Sequence, residues 1–263
     1  MLLVADVGNT ETTLGLCAGE IVTDNWRVTT DAARTPDEVY LLLRSLLAAS
    51  NIAPDAVKGA AIASVVPAVT GPLAAAAARL TGSVPVVIDG RSPLGITLAV
   101  DEPMTVGADR IINTLAASRI YGKDCIVVDL GTATTYDCIT ADGVFLGGVI
   151  QPGVRTSAET LFRRTSKLPA TELVAPKKVI GTRTEDCIRA GVVFGAAESV
   201  DGLVRRIKKE WPRANVPLVV ATGGLVSEIR PYCTEIDLVE SELTLHGLRM
   251  AHAILASRPP ASK

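Results

Sequence analysis

Three short turns in this chain gather the residue types that hold phosphate. Asp6-Val7-Gly8-Asn9-Thr10 follows the apolar opening Met1-Leu2-Leu3-Val4-Ala5. Asp129-Leu130-Gly131-Thr132-Ala133-Thr134-Thr135 follows Asp124-Cys125-Ile126-Val127-Val128, and Ala221-Thr222-Gly223-Gly224 follows Val216-Pro217-Leu218-Val219-Val220. Each reads as an apolar strand running into Gly beside Thr, and the first two end the strand on Asp. Such an edge offers a carboxylate to a hydrated divalent cation, and backbone N–H groups with hydroxyls to phosphate oxygens. Two such edges in one chain suggest a phosphate gripped from two sides, which points to a nucleotide enzyme.

In the first turn, Gly8 lets the backbone come close to a phosphate because no Cβ intervenes. Asn9, Thr10, Thr12 and Thr13 supply short donors around it, and Asp6 is placed to hold hydrated Mg²⁺. The plainer alternative is a β-hairpin with Asn-Thr in its turn. Asp129 ends an apolar strand, where a carboxylate costs free energy unless it finds a cation or donors. A metal, a monovalent cation or a water network would meet that need; so would a simple cap on the Gly131-Thr132 turn. Thr132, Thr134 and Thr135 repeat the supply of hydroxyls, and Gly223-Gly224 would let an adenosine lie against the backbone.

Gly107-Ala108-Asp109-Arg110 opens an amphipathic helix. An acid there is favoured by the helix dipole in any case. The chemical reading makes Asp109 the base for an acceptor hydroxyl and Arg110 a bidentate holder of an anion. His246 and His252 are the two histidines, both in or beside the last helix, so a carboxylate is the better candidate base. Thr184, after Gly181-Thr182-Arg183, suits the N-cap of a long helix.

These residues need elements to place them. Strands are expected over 2–7, 12–17 and 21–28, then a helix capped by Thr35 with Pro36 in its first turn and running through 39–49. A strand at 58–65, a helix at 67–80, a strand at 85–88 and a helix at 107–121 follow. The order strand, phosphate turn, strand, tight turn, strand then recurs over 126–150, with helices at 156–161, 184–209 and 243–256 and a strand at 217–221. The final 259–263 reads as a tail. This is an α/β chain with an internal duplication, divided as 1–118 and 119–263.

Bulk properties narrow the classes. A chain of 263 residues can form one large domain or two lobes. Aromatic residues at 3% leave few stacking platforms for single strands, and a net charge of −2 argues against nucleic-acid binding. The basic run 205–209 reads as a solvated helix face. Five cysteines with no C-x-x-C pair suit reduced thiols in a cytoplasm rather than a zinc site. Residues 1–5 are too short for a signal or a membrane span. Neither G-x-x-x-x-G-K-[ST] nor G-x-G-x-x-G occurs, which disfavours P-loop and Rossmann nucleotide binding.

With D-V-G-N-T at 6–10, G-A-D-R at 107–110, D-L-G-T-A-T-T at 129–135 and G-G-V-I-Q-P-G at 147–153, the chain resembles the type III pantothenate kinases. The resemblance continues through I-G-T-R-T at 180–184, A-G-V-V-F-G at 190–195, A-T-G-G-L at 221–225 and L-T-L-H-G-L at 243–248. It implies the actin, Hsp70 and sugar-kinase plan: duplicated actin-like (ribonuclease H-like) β-β-β-α-β-α units facing across a nucleotide cleft. The implied activity is ATP- and Mg²⁺-dependent phosphorylation of pantothenate, the first step of coenzyme A synthesis. Carried over by position, ATP would meet Asp6, Val7, Gly8, Asn9, Thr10, Glu11, Thr12, Thr13 and Thr132, with Gly223 and Gly224. Pantothenate would meet Gly107, Ala108, Asp109, Arg110 and Thr184, with Asp109 as proton acceptor. Asp129 would bind K⁺ or NH₄⁺, and the protein would be a cytoplasmic homodimer.

Two positions depart from the family pattern. Val100 stands where an aromatic is usual, which alters a wall of the acceptor pocket, and Glu240-Ser241-Glu242 replaces an acidic-Pro pair. An accessory protein for gene expression, or a kinase of the wider superfamily with another small acceptor, are the alternative readings. The intact Asp6, Asp109, Arg110 and Asp129 favour catalysis over the former.

Overall fold

The computed structural model describes residues 1–257, and the tail expected at 259–263 lies outside them. The chain forms two compact units, Met1–Ile120 together with the segment from Glu242 onward, and Tyr121–Ser241.

In the first unit, β1 (Leu2–Val7), β2 (Glu11–Ala18) and β3 (Ile21–Thr29) form an antiparallel meander. Helix α1 (Pro36–Ala49) then leads to β4 (Gly59–Ser64), and α2 (Pro67–Thr81) leads to β5 (Val86–Ile88). The sheet order is β3-β2-β1-β4-β5, with β4 parallel to both β1 and β5. The entry to α1 is a complete capping box. The Glu38 N–H donates to Thr35 Oγ1 at 3.3 Å and the Thr35 N–H to the Glu38 carboxylate at 2.8 Å, which satisfies two helix-end donors at once. A two-residue strand β6 (Thr97–Leu98) precedes α3 (Ala108–Tyr121).

Alternation along β1 sorts its side chains between two helical layers. Leu3, Ala5 and Val7 pack with Leu14 and Leu16 against α1 and α2. Val4, with Ala61 and Ala63 of β4, packs against Ile111, Ile112 and Leu115 of α3 and against Leu245, Leu248 and Ala251 of α7 (Leu243–Ala256). A central strand covered on both faces must be apolar throughout, as this one is until Asp6.

The second unit repeats the plan. It runs β7 (Cys125–Leu130), β8 (Ala133–Ile139), β9 (Val144–Pro152), α4 (Val154–Arg164), α5 (Thr184–Glu210), β10 (Leu218–Thr222), α6 (Val226–Ile229) and β11 (Leu238–Val239). Its strands lie in the order β9-β8-β7-β10-β11, which is the first unit's order element for element. Again the first three are antiparallel and the last two join in parallel. Ile126, Val128, Leu130, Val219 and Ala221 pack on Val192, Val193, Val200 and Val204 of α5.

The division at 118/119 placed residues 243–256 with the second lobe, whereas α7 belongs to the first unit. Its apolar stripe finds the open face of β1 and β4, a partner over a hundred and fifty residues away in sequence. No periodicity marks β6, α6 or β11, which at two to four residues are too short to show one. Helix α4 begins two residues before the expected start.

Candidate functional site

The turn between β1 and β2 is held from below. Gly8 N–H donates to the Glu11 carbonyl at 3.0 Å, closing the turn, and the Thr30 N–H donates to the Thr10 carbonyl at 2.9 Å. The Thr30 hydroxyl donates to the Gly8 carbonyl at 2.8 Å and lies 2.9 Å from the Thr12 hydroxyl. Asn9, Thr10 and Glu11 are left exposed at the tip. Thr12 is only 5% exposed, so its hydroxyl supports the turn through Thr30 rather than standing among the outward donors. Val7 is fully buried and its carbonyl accepts from Val65 N–H at 3.1 Å. Thr30 was not anticipated. It lies two strands away, and only the β2–β3 register, which pairs Glu11 with Thr29, brings it under the turn.

Asp6 pairs in register with Thr13 and Ala63, and all three lie on the sheet face that carries α3. The N-terminus of α3 comes to the same edge. A β-carbon on Gly107 would stand 3.4 Å from Val65 Cγ1, at the end of β4, and would collide with the Asp109 carboxylate. Ala108 is buried and anchors the helix start. Asp109 Oδ1 accepts from the Arg110 N–H at 2.8 Å, and the Thr114 hydroxyl bonds back to the Arg110 carbonyl at 2.8 Å. Loss of water pushes the Asp109 carboxyl above its ordinary range, although the Arg110 N–H and guanidinium pull the other way. Asp6, Thr13, Gly107, Asp109 and Arg110 therefore share one edge and one face of the first unit.

In the second unit, Asp129 stands at the equivalent strand end, paired with Thr135 on β8 and Thr222 on β10. Gly223 adopts φ +99°, a conformation that side chains rarely allow. A β-carbon there would stand 2.5 Å from Asp129 Oδ1 and 2.6 Å from the Leu130 nitrogen, so a glycine is required for β10 to turn away over the carboxylate. The Leu225 N–H then donates to the Leu130 carbonyl at 3.1 Å, and Gly224 is exposed beyond the turn.

Thr132 is exposed at the tip of the second phosphate-type turn. Its carbonyl accepts from Gly153 N–H at 3.1 Å and from the Thr156 hydroxyl at 2.7 Å, which moors the turn to the start of α4. Gly153 and Thr156 were not anticipated as supports. The signal was the Gly that closes the 147–153 motif just ahead of a helix. Asp129, Thr132 and Gly223 thus gather at one edge, while Thr184 opens a separate element, α5. Thr184 is the first helical residue rather than the N-cap; Arg183 holds that place with no side-chain bond, and Glu185 and Asp186 sit in the first turn.

Among the described residues no cluster of three or more His, Cys, Asp or Glu is placed to hold a metal. A strand-end carboxylate such as Asp6 suits Mg²⁺, which keeps most of its waters and is carried on nucleotide phosphates. Among the described residues no helix is long and apolar enough to cross a membrane.

The profile of the family described as type III pantothenate kinase matches residues 2–206. A protein of that name from Acidothermus cellulolyticus is 43% identical over 251 residues, covering 95% of this chain and 97% of its own. Among solved structures, the activator of the 2-hydroxyisocaproyl-CoA dehydratase from Clostridium difficile, with bound ADPNP, aligns with a TM-score of 0.56. It is 14% identical and covers 100% of this chain and 99% of that one. The ROK hexokinase from Thermus thermophilus aligns with a TM-score of 0.51 at 12% identity, covering 97% and 98%. Both share the fold, which is that of the actin-like ATPases and sugar kinases. With the family profile matching residues 2–206 and a 43% identical relative covering 95% of the chain, the chain belongs to the type III pantothenate kinase family.

Proposed function

We propose that this chain transfers the γ-phosphoryl group of ATP to the primary hydroxyl of pantothenate, the opening step of coenzyme A synthesis. The observation that carries the reading is Asp109: a half-buried carboxylate of raised pKa at the start of α3, on the sheet face and edge of Asp6. Asp109 accepts the hydroxyl proton as the oxygen–phosphorus bond forms and the bond from the γ-phosphorus to the β,γ-bridging oxygen breaks, releasing ADP. Phosphoryl transfer asks mainly for alignment and for neutralised charge. In the first unit the exposed Asn9 and Thr10 offer donors to phosphate and Arg110 a guanidinium to the acceptor's carboxylate. In the second, the exposed Thr132 offers a phosphate donor, Thr184 an acceptor contact, and Gly223 with Gly224 room for the nucleoside. Asp6 would hold Mg²⁺ through water and Asp129 a monovalent cation, each of which would supply positive charge when bound. Thr12 acts on the turn through Thr30. A cytoplasmic homodimer is part of the same proposal.

The test is ADP release by purified protein with MgATP and pantothenate, in K⁺ and in Na⁺ alone. Turnover that needs both pantothenate and K⁺ is expected. ADP release indifferent to pantothenate would replace this acceptor with another. A folded protein that binds ATP but turns over in neither salt would favour the accessory role.

A further inference from the structure

Helix α7 carries none of the phosphate or acceptor residues, yet it is locked to the helix that carries Asp109. A β-carbon on Gly247 would stand 2.5 Å from Ile112 Cγ2 and 2.6 Å from the Ile112 carbonyl oxygen, with Ala116 Cβ at 3.2 Å. Three residues earlier, the Thr244 hydroxyl donates to Asn113 Oδ1 at 3.0 Å, and Asn113 is 1% exposed. Asn113 lies four residues after Asp109, about 6 Å along α3 and on the same face. The other side of α7 is seated on the sheet. A β-carbon at Gly15 would stand 2.9 Å from Leu245 Cδ1, and one at Gly59 2.9 Å from His252 Nε2.

We propose, resting on the kinase reading above, that Thr244 and Gly247 are positioning residues, which fix the height and rotation of α3 over β1 so that Asp109 stands beside the strand end bearing Asp6. Apolar contact is non-directional, so Ile111, Ile112 and Leu115 alone would let α3 shift at small cost. A backbone approach through glycine permits one separation, and a hydrogen bond to a buried amide selects one register. Proton transfer requires hydrogen-bond reach, and a displacement of about 1 Å can cost up to 10²-fold in rate.

Thr244→Val removes the donor and keeps the shape; Thr244→Ser restores the donor. The variants are compared with the wild-type protein in steady-state kinetics with MgATP and pantothenate, and in amide hydrogen exchange over residues 108–115. Thr244→Val is expected to lower kcat roughly tenfold with the KM for ATP unchanged and to speed exchange over 108–115, and Thr244→Ser to recover both. Gly247→Ala forces a methyl group onto the Ile112 carbonyl and is expected to lower Tm as well as kcat, so the Thr244 pair decides. Wild-type kcat with wild-type exchange in Thr244→Val overturns the proposal, as does a loss that serine fails to recover. If the wild-type protein does not phosphorylate pantothenate, the kinase reading fails on its own account. Exchange then decides the clamp: faster in Thr244→Val and normal in Thr244→Ser upholds it, and unchanged rates overturn it.

Discussion

Asp109 combines properties that pull against each other. Partial burial favours its protonated form, yet a base must begin the reaction deprotonated. A carboxyl whose folded pKa is raised binds its proton more tightly in the native state. Its contribution to stability therefore falls as pH rises from the ordinary carboxylate pKa through the folded one. The charged form carries that cost, and Asn at 109 removes it while keeping an acceptor for the Arg110 N–H. Asp109→Asn is thus expected to cut kcat by roughly 10²–10⁴-fold, and to hold or raise Tm at neutral pH. Wild-type turnover would remove Asp109 from the reaction, and a large drop in Tm would make its role structural. The same raised pKa places the acidic limb of the wild-type rate profile above the ordinary carboxylate range.

At the scale of elements, two buried carboxylates tie the second unit together. Asp201 on α5, 4% exposed, accepts from the Thr234 N–H at 2.7 Å, the Thr234 hydroxyl at 2.5 Å and the Glu235 N–H at 3.0 Å. Asp124, 2% exposed before β7, accepts from Ala141 N–H at 2.8 Å and Trp211 Nε1 at 3.0 Å, with Arg213 Nη1 at 3.3 Å. Burial alone would raise both carboxyls, but these donors outweigh it and hold them below the ordinary range. The sign is opposite to that at Asp109. The stabilisation is present above the unfolded carboxylate pKa and is lost as pH falls through the folded values. Melting temperature should therefore drop from about pH 4 downward. Asp201→Asn should melt lower at neutral pH and show a shallower acid decline. Parallel curves for variant and wild type would show that other groups drive the acid transition.

For the whole molecule, the return of α7 makes the first unit depend on the end of the chain. Leu245, Leu248 and Ala251 are each at most 3% exposed against the β1–β4 face and α3. A chain stopped after Ser241 uncovers that face, and is expected to lose pantothenate-dependent turnover and the cooperative melting of the first unit. A truncated protein with wild-type melting would show that the β1–β4 face holds without its cover. Local sequence determined a good deal of this protein. Apolar runs ending in Asp and Gly-Thr marked β1 and β7 with their turns, and the recurrence of the pattern marked the duplication that the two matching strand orders display. Thr35, Pro36 and Glu38 marked the start of α1 for the same reason: caps, turns and periods are decided by neighbours a few residues apart. Long-range packing set the rest: Thr12 turns inward to Thr30, Asp6 and Asp109 share a face and an edge, and α7 joins the first unit. Each of these depends on strand register or on burial against distant residues, whose energy is non-directional and leaves no local signature.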